Sequence, residues 1–399
     1  MFRIGMLTSG GDCQALNAAM RGVVKGLCSK RNDVEIYGFQ DGYKGLIYSN
    51  FEMLTAKDFS GILTRGGTIL GTKRQPFKMM KVIGDDNIDK VKNMKKTYQS
   101  QKLDCLLTLG GNGTHKTSQL LSEEGLNVIG LPKTIDNDLC ITDHTPGFGS
   151  AAKYVATTMQ EITRDSSVYS APSVTIVEIM GRNAGWLTAS SVVLHANGEV
   201  APHLIYVPER KFSIEQFLED TRQQMAKHKA VIIAISEGVA DPEAAAFQSG
   251  VTDEFGHKYL SGIGKYLEQV VREQIGCKVR SIELNVMQRC SSHLCSKTDI
   301  DESVQIGAAG VRAALAGETG IVMTFRRVSD QPYAIVVKST SAANIANQER
   351  FLPPAYINDA GNNITEAAWS YFLPLIQGEC NIRLHNGLPV HFKMQESVL

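Results

Sequence analysis

Two carboxylates two residues apart, Asp136 and Asp138, stand in the polar run Leu131-Pro132-Lys133-Thr134-Ile135-Asp136-Asn137-Asp138, shortly after the loop Gly110-Gly111-Asn112-Gly113-Thr114. A glycine loop lets backbone N–H groups close on a polyphosphate, and a nearby carboxylate can take the proton of the hydroxyl that attacks it. An Asp-x-Asp pair alone is as readily a turn or a cap. Placed after such a loop, the pair predicts phosphoryl transfer.

Other stretches carry compatible chemistry. Thr8-Ser9-Gly10-Gly11-Asp12-Cys13 joins a strand to a helix, where N–H groups and the helix dipole favour an anion. The same turn would serve tight packing without any ligand. Arg65-Gly66-Gly67-Thr68 and Gly71-Thr72-Lys73-Arg74 end in two cations, and Arg74 could clamp a polyphosphate through its planar fork or be a solvated charge. Farther on, Met180-Gly181-Arg182 follows an apolar strand and suits a sugar phosphate. Glu209 closes Tyr206-Val207-Pro208-Glu209, where it could accept from sugar hydroxyls or simply face water. Arg280 and Arg289 would both be explained by one phosphate, and either singly by a surface salt bridge.

Positioning these residues requires a particular alternation of elements. Apolar runs ending at Leu7, at 34–39 and at 103–109 alternate with helical patterns at 17–28 and 115–124. A second series follows, with strands at 174–178, 204–207, 230–236 and 279–284 and helices at 186–195, 214–227, 260–275 and 304–315. Such alternation predicts an α/β fold with parallel sheets and ligands at the strand C-termini. The polar stretch Asp241–Lys258 reads as an exposed insertion or edge hairpin. The segment from Tyr333 to Leu399 carries enough apolar patches to be folded.

With 399 residues the chain has room for two or three domains, and 43% hydrophobic content suits a packed core. Lys plus Arg and Asp plus Glu number 41 each, so no global field favours nucleic acid or an anionic membrane, and phosphate binding must come from local clusters. No apolar run reaches the roughly 18 to 20 residues that span a bilayer, and Phe2-Arg3-Ile4-Gly5-Met6-Leu7 reads as a strand rather than a signal peptide. A cytoplasmic location is the expectation. The eight cysteines are scattered without metal-site spacing and read as reduced thiols.

These motifs, in this order, resemble the phosphofructokinase superfamily, enzymes that phosphorylate fructose 6-phosphate at its 1-hydroxyl. The matching pieces run from Thr8-Ser9-Gly10-Gly11-Asp12 through Asp41-Gly42-Tyr43, Gly66-Gly67-Thr68, the Gly110 loop, Thr134-Ile135-Asp136-Asn137-Asp138, Met180-Gly181-Arg182 and Pro208-Glu209 to Gln288-Arg289. Phe351-Leu352-Pro353-Pro354 and Tyr371-Phe372-Leu373-Pro374 are similar to the tail of the longer branch, whose members use ATP or pyrophosphate. The resemblance implies two Rossmann-like three-layer lobes with the active site in the cleft between them. Residues 1–149, completed by about 288–335, would bind the donor; 150–287 would bind the sugar; 336–399 would pack on the lobes.

It also implies roles. Asp136 would be the general base, Asp138 its electrostatic neighbour near the metal, and Thr134 a contact to the transferring group or the sugar. Gly10, Tyr43, Lys73, Arg74, Gly111, Asn112, Gly113, Thr114 and Lys133 would line the donor phosphates. Met180, Gly181, Arg182 and Glu209 would hold the sugar, and Arg280 and Arg289 its 6-phosphate. One phosphate-gripping arginine comes from a neighbouring subunit in the family, which implies a homodimer or homotetramer with shared sites. ATP and Mg²⁺ are the implied co-substrate and ion, with Asn112 at the metal.

Two positions depart from the pattern. Asn112 replaces a usual Asp, which implies a weaker hold on magnesium, an ion that favours hard and usually charged oxygen. Ser173 stands where many relatives have a phosphate-binding arginine. The donor is read at Gly113, where pyrophosphate users typically have Asp: without a side chain there is room for the α-phosphate and ribose of ATP. Lys133 pulls the other way, being characteristic of pyrophosphate enzymes, and the expectation is ATP. NAD and lipid kinases share a Gly-Gly-Asp-Gly-type loop but lack the Met180-Gly181-Arg182 and Gln288-Arg289 pieces. A non-catalytic regulatory subunit would not need Asp136, Asp138 and Arg182 together.

Overall fold

The computed structural model describes residues 1–83, 86–239, 262–346 and 348–390, so the expected insertion at Asp241–Lys258 lies outside the described residues. Among the described residues eleven strands form two main sheets, beside a small hairpin of Leu384–His385 with Leu388–Pro389: β1 (Phe2–Thr8), β2 (Val34–Phe39), β3 (Phe51–Leu54), β4 (Cys105–Gly110), β5 (Val128–Pro132), β6 (Ser173–Ile179), β7 (Leu204–Tyr206), β8 (Ala230–Ser236), β9 (Lys278–Glu283), β10 (Ile321–Asp330) and β11 (Tyr333–Ser341). The first sheet has the order β11-β10-β5-β4-β1-β2-β3, parallel except at its two antiparallel edges; the second, β7-β8-β6-β9, is parallel throughout. The mainly parallel α/β architecture read from the alternation is therefore present.

Strands β4 and β5 are buried along their whole length, as the continuous runs Cys105-Leu106-Leu107-Thr108-Leu109 and Val128-Ile129-Gly130-Leu131 require when helices cover both faces. On one face the helices Ala15–Cys28 and Lys297–Leu315 pack closely. Gly22 permits this approach, because a Cβ there would strike the Val304 carbonyl. The pairing explains how residues near the end of the chain complete a sheet begun at Phe2.

Three elements differ from the sequence reading. The helix expected at 186–195 is two short helices, Trp186–Ser190 and Val193–Ala196, and the one expected from Val304 begins about two turns earlier, at Lys297, capped by Ser296. Helix Phe148–Ser167, 20 residues long, was not anticipated. Strand β11 continues the first sheet beyond residue 335, so that sheet extends into the segment assigned to the C-terminal extension.

A buried polar cluster fastens the loop after the Asp136 turn. The His144 imidazole lies between Asp143 (2.9 Å) and Glu302 (2.6 Å), and Tyr333 donates to the other Glu302 oxygen. Burial opposes the imidazolium, but the Glu302 charge and the bonds to both carboxylates outweigh it and raise the His144 pKa to about 9. A raised histidine stabilises the fold fully below its unfolded value, and that contribution is lost as pH climbs through the folded one. Denaturant unfolding should therefore show stability declining between about pH 6.5 and 9, and His144→Gln should flatten that decline. An unchanged slope in the variant would contradict the assignment.

Candidate active site

Strand C-termini of the first sheet converge on a cavity of about 600 Å³. Gly10 and Gly11 follow β1, Gly111 to Thr114 follow β4, and Lys133, Thr134, Asp136 and Asp138 follow β5; Arg74 and Lys116 add charge at its rim. Gly10 has φ +91°, a conformation that favours glycine, and its carbonyl accepts from Thr72 Oγ1 at 2.6 Å. The helix Asn112–Glu123 opens directly onto the cavity, so its first N–H groups and dipole point at any anion bound there.

The carboxylate pair is held by its own turn. Thr134 Oγ1 accepts from the Asp136 N–H (3.1 Å), Asn137 between the two carboxylates is fully buried at φ +55°, and both aspartates face the cavity. Burial raises the Asp136 pKa against the opposing charge of Lys133. Asp138 is pushed up to about 7, by burial first and then by Asp136. Each is thus closer to the basicity a proton acceptor needs than a free carboxylate is.

Cations crowd the same place. Lys133 is buried, its ammonium donates to the Gly11 carbonyl, and burial lowers its pKa. A Cβ on Gly11 would lie 3.3 Å from Arg289 Nη1, so Arg289 reaches across from beyond β9 to the first glycine turn. The charges of Arg74 and Arg182 both act on Asp136. Across the cleft, Gly181 at the end of β6 has φ +145°; its N–H donates to Glu237 (3.3 Å), and Met180 N–H donates to the buried Gln288 (3.3 Å).

Three residues singled out from the sequence, Tyr43, Lys73 and Arg280, are placed elsewhere, and a fourth, Glu209, is partly engaged by the fold. Tyr43 does not line the donor cavity: it is buried, and its hydroxyl donates to the Thr114 carbonyl (2.9 Å) and meets Ser118 (3.1 Å), bracing the donor helix from behind. Lys73 pairs through its backbone with Ser9 and extends an exposed side chain, leaving Arg74 as the cavity cation of that segment. One Glu209 oxygen accepts from the N–H groups of Gly185 (2.9 Å) and Leu352 (3.1 Å), while its other oxygen is buried with no hydrogen-bond partner among the described residues, so the clamp leaves one acceptor open. Arg280 lies on edge strand β9, exposed and paired with Asp165 at 3.4 Å, outside this chain's cleft. Met180, Gly181, Arg182 and Arg289 do approach the carboxylate turn or its facing loop.

The sequence reading missed Glu237, which follows β8 as Glu209 follows β7; its pKa is raised to about 7 by burial, and it sits near Arg182, Arg289 and Asp136. A carboxylate at a parallel strand's C-terminus was the available signal. Also unanticipated was a strap from the C-terminal segment. The Gln348 carbonyl accepts from Asn112 Nδ2 (3.3 Å), Glu349 pairs with Leu139, Arg350 N–H donates to the Asp138 carbonyl (2.8 Å), and the Arg350 carbonyl accepts from Trp186 Nε1 (3.0 Å). The strap thus touches the donor loop, the carboxylate turn and the second lobe in succession.

Magnesium is compatible with this donor set of carboxylate and amide oxygens. Among the described residues no three carboxylates, histidines or cysteines cluster to cage an ion, so one would complete its shell with donor oxygens and water, the usual arrangement for this cation. All eight cysteines are free thiols. No helix among the described residues is long and apolar enough to cross a membrane.

A family model described as Phosphofructokinase matches residues 3–313. The pyrophosphate--fructose 6-phosphate 1-phosphotransferase of Xanthomonas campestris pv. campestris is 33% identical over 403 residues, covering 97% of this chain and 94% of that protein. An ATP-dependent 6-phosphofructokinase of Streptomyces coelicolor is also 33% identical, covering 90% of this chain and 98% of its own length. The crystal structure of a pyrophosphate-dependent phosphofructokinase from Marinobacter aquaeolei superposes with a TM-score of 0.85 at 28% identity, covering 100% of this chain and 97% of that one.

Proposed function

The chain belongs to the phosphofructokinase family, and from that premise we propose that it transfers a phosphoryl group to the 1-hydroxyl of fructose 6-phosphate, with pyrophosphate as donor. The observation that carries the acceptor chemistry is the Asp136–Asp138 turn facing a glycine-lined anion cavity. Pyrophosphate draws its support from relatives of that class matching nearly the whole chain, C-terminal segment included, and from the buried Lys133 at the cavity. ATP, the expectation from sequence, is the second reading. It is favoured by Gly113, where nothing stands within 4 Å of a Cβ position, and by relatives named as ATP-dependent.

In this reading Asp136 takes the 1-hydroxyl proton as the oxygen attacks the terminal phosphorus of the donor, whose bridging P–O bond breaks to release inorganic phosphate from pyrophosphate, or ADP if the donor is ATP. The N–H groups of the Gly10-Gly11 turn and of the helix at Asn112, with Lys133 and Arg74, hold the donor phosphates in line. Thr134 fixes the turn through its bond to Asp136 N–H. Met180, Gly181, Arg182 and Glu237 orient the sugar, and Arg289 grips its phosphate. Arg280, outward on an edge strand, would serve a neighbouring subunit, so a homo-oligomer with shared sites follows. Magnesium, held by Asn112 near Asp138 together with donor oxygens, would neutralise developing charge on the transferring group. The product would be fructose 1,6-bisphosphate, made in the cytoplasm as a step of glycolysis.

The deciding assay offers purified protein fructose 6-phosphate with pyrophosphate or with ATP, across a magnesium series. Turnover with pyrophosphate alone supports the first donor, with ATP alone the second; none with either would overturn the acceptor reading. In the same series Asn112→Asp should lower the magnesium concentration needed for half-maximal rate several-fold, because a charged oxygen replaces a neutral one. A superimposable magnesium curve would remove Asn112 from the metal site.

A further inference from the structure

Asn137 separates the two cleft carboxylates, yet its own side chain points away from them. Its left-handed backbone, a region asparagine tolerates, turns Asp136 and Asp138 into the cavity and the Asn137 amide into the protein behind it. There Nδ2 donates to Tyr371 Oη at 2.8 Å. Tyr371 Oη also accepts from Arg350 Nη2 (3.3 Å) and donates to the Asp143 carbonyl (2.6 Å), so one hydroxyl uses its full capacity of two acceptor positions and one donor. The ring is fixed against Trp186 at 5.2 Å between centroids.

We propose that Tyr371, contributed by the C-terminal segment, is a positioning residue for phosphoryl transfer, holding the Asp136–Asp138 turn from behind through Asn137. This rests on the reading of that turn as catalytic. The physical argument is one of angle and reach. A carboxylate must meet the hydroxyl proton within hydrogen-bond distance, and a displacement of about 1 Å costs on the order of 10²-fold in rate. The turn ends in Asp138, whose carbonyl is held by Arg350 N–H, while Arg350 itself stacks over Trp186 at 4.2 Å. Tyr371 and Arg350 therefore tie both the middle and the end of the turn to the second lobe. No atom of Tyr371 needs to touch a substrate for this.

The test uses the full chain with Tyr371→Phe, Asn137→Gly, which keeps the left-handed backbone while removing the amide, and the double variant. Each single change should lower kcat about 10- to 100-fold with sugar and donor KM within about twofold. The loss in the double variant should fall well short of the product of the single losses, because the Asn137–Tyr371 bond is removed in both, while the bonds of Tyr371 to Arg350 and Asp143 are lost only with Tyr371→Phe. Hydrogen exchange at residues 134–139 should quicken in Tyr371→Phe while the helix Phe148–Ser167 stays protected. Near-normal kcat in a single variant, multiplicative losses in the double, or unchanged exchange at the turn would each overturn the proposal. Wild-type protein that transfers no phosphoryl group while the exchange change is seen would instead overturn the functional reading, with the turn's tether intact.

Discussion

Asp136→Ser should reduce kcat by about 10² to 10⁴-fold, the usual worth of a positioned general base, with the fructose 6-phosphate KM little changed. The expectation follows from how the turn is built. Thr134 Oγ1 accepts from the Asp136 backbone N–H and the Asn137 amide anchors the next residue, and serine keeps both of these contacts while giving up only those of the carboxylate itself. The groups assigned to the sugar and its phosphate, Arg182, Glu237 and Arg289, lie on other elements. What is lost is an acceptor whose basicity burial has raised. Initial rates at saturating donor separate the possibilities: a large rise in sugar KM with turnover preserved would assign Asp136 to binding and leave the base unidentified.

Gly113→Asp should weaken whatever use of ATP the wild type shows while sparing pyrophosphate. The position is exposed, with open space where a Cβ would stand, and a carboxylate in the first turn of a helix is favoured by the dipole, so the variant should fold at least as well. The new charge would instead occupy the path of a nucleotide α-phosphate. Two unit charges about 4 Å apart repel by roughly 1 kcal/mol in water and about 4 kcal/mol near a protein surface, or about 5- to 10³-fold in ATP affinity. Pyrophosphate ends before that point. Parallel kcat/KM measurements with both donors decide it, and equal losses would discard the steric and charge argument altogether.

The parallel sheets and glycine turns were legible because they are local: an apolar run, a glycine and a helical pattern follow one another in the chain. Asp136, Asp138, Arg74, Gly113 and Arg289 could be found by the same logic. Glu237 was missed although, like Glu209, it follows a parallel strand, because only the placement of β8 in the sheet brings it near Arg182, Arg289 and Asp136. Tyr43 failed for a related reason. An aromatic at a helix start can face in or out, and packing behind Thr114 settled it. Helix Phe148–Ser167 hides because it opens through small residues, Gly149, Ser150, Ala151 and Ala152, which pack between other elements without a strong apolar stripe. Least legible was the strap, whose bonds join Asn112 to Gln348 and Asn137 to Tyr371 across 236 and 234 residues. No window of sequence contains both partners.

Those long spans also set an order of events during synthesis. Both sheets can begin to form as their strands emerge, but the backbone that closes over the Asp136 turn follows all eleven of those strands in the chain, and contacts so distant along it carry a larger loop-closure cost. The phosphate-binding loops are therefore assembled well before the carboxylates are fastened. A chain interrupted after β11 would therefore lack both fastenings of the carboxylate turn, Tyr371 on Asn137 and the Arg350 N–H on Asp138.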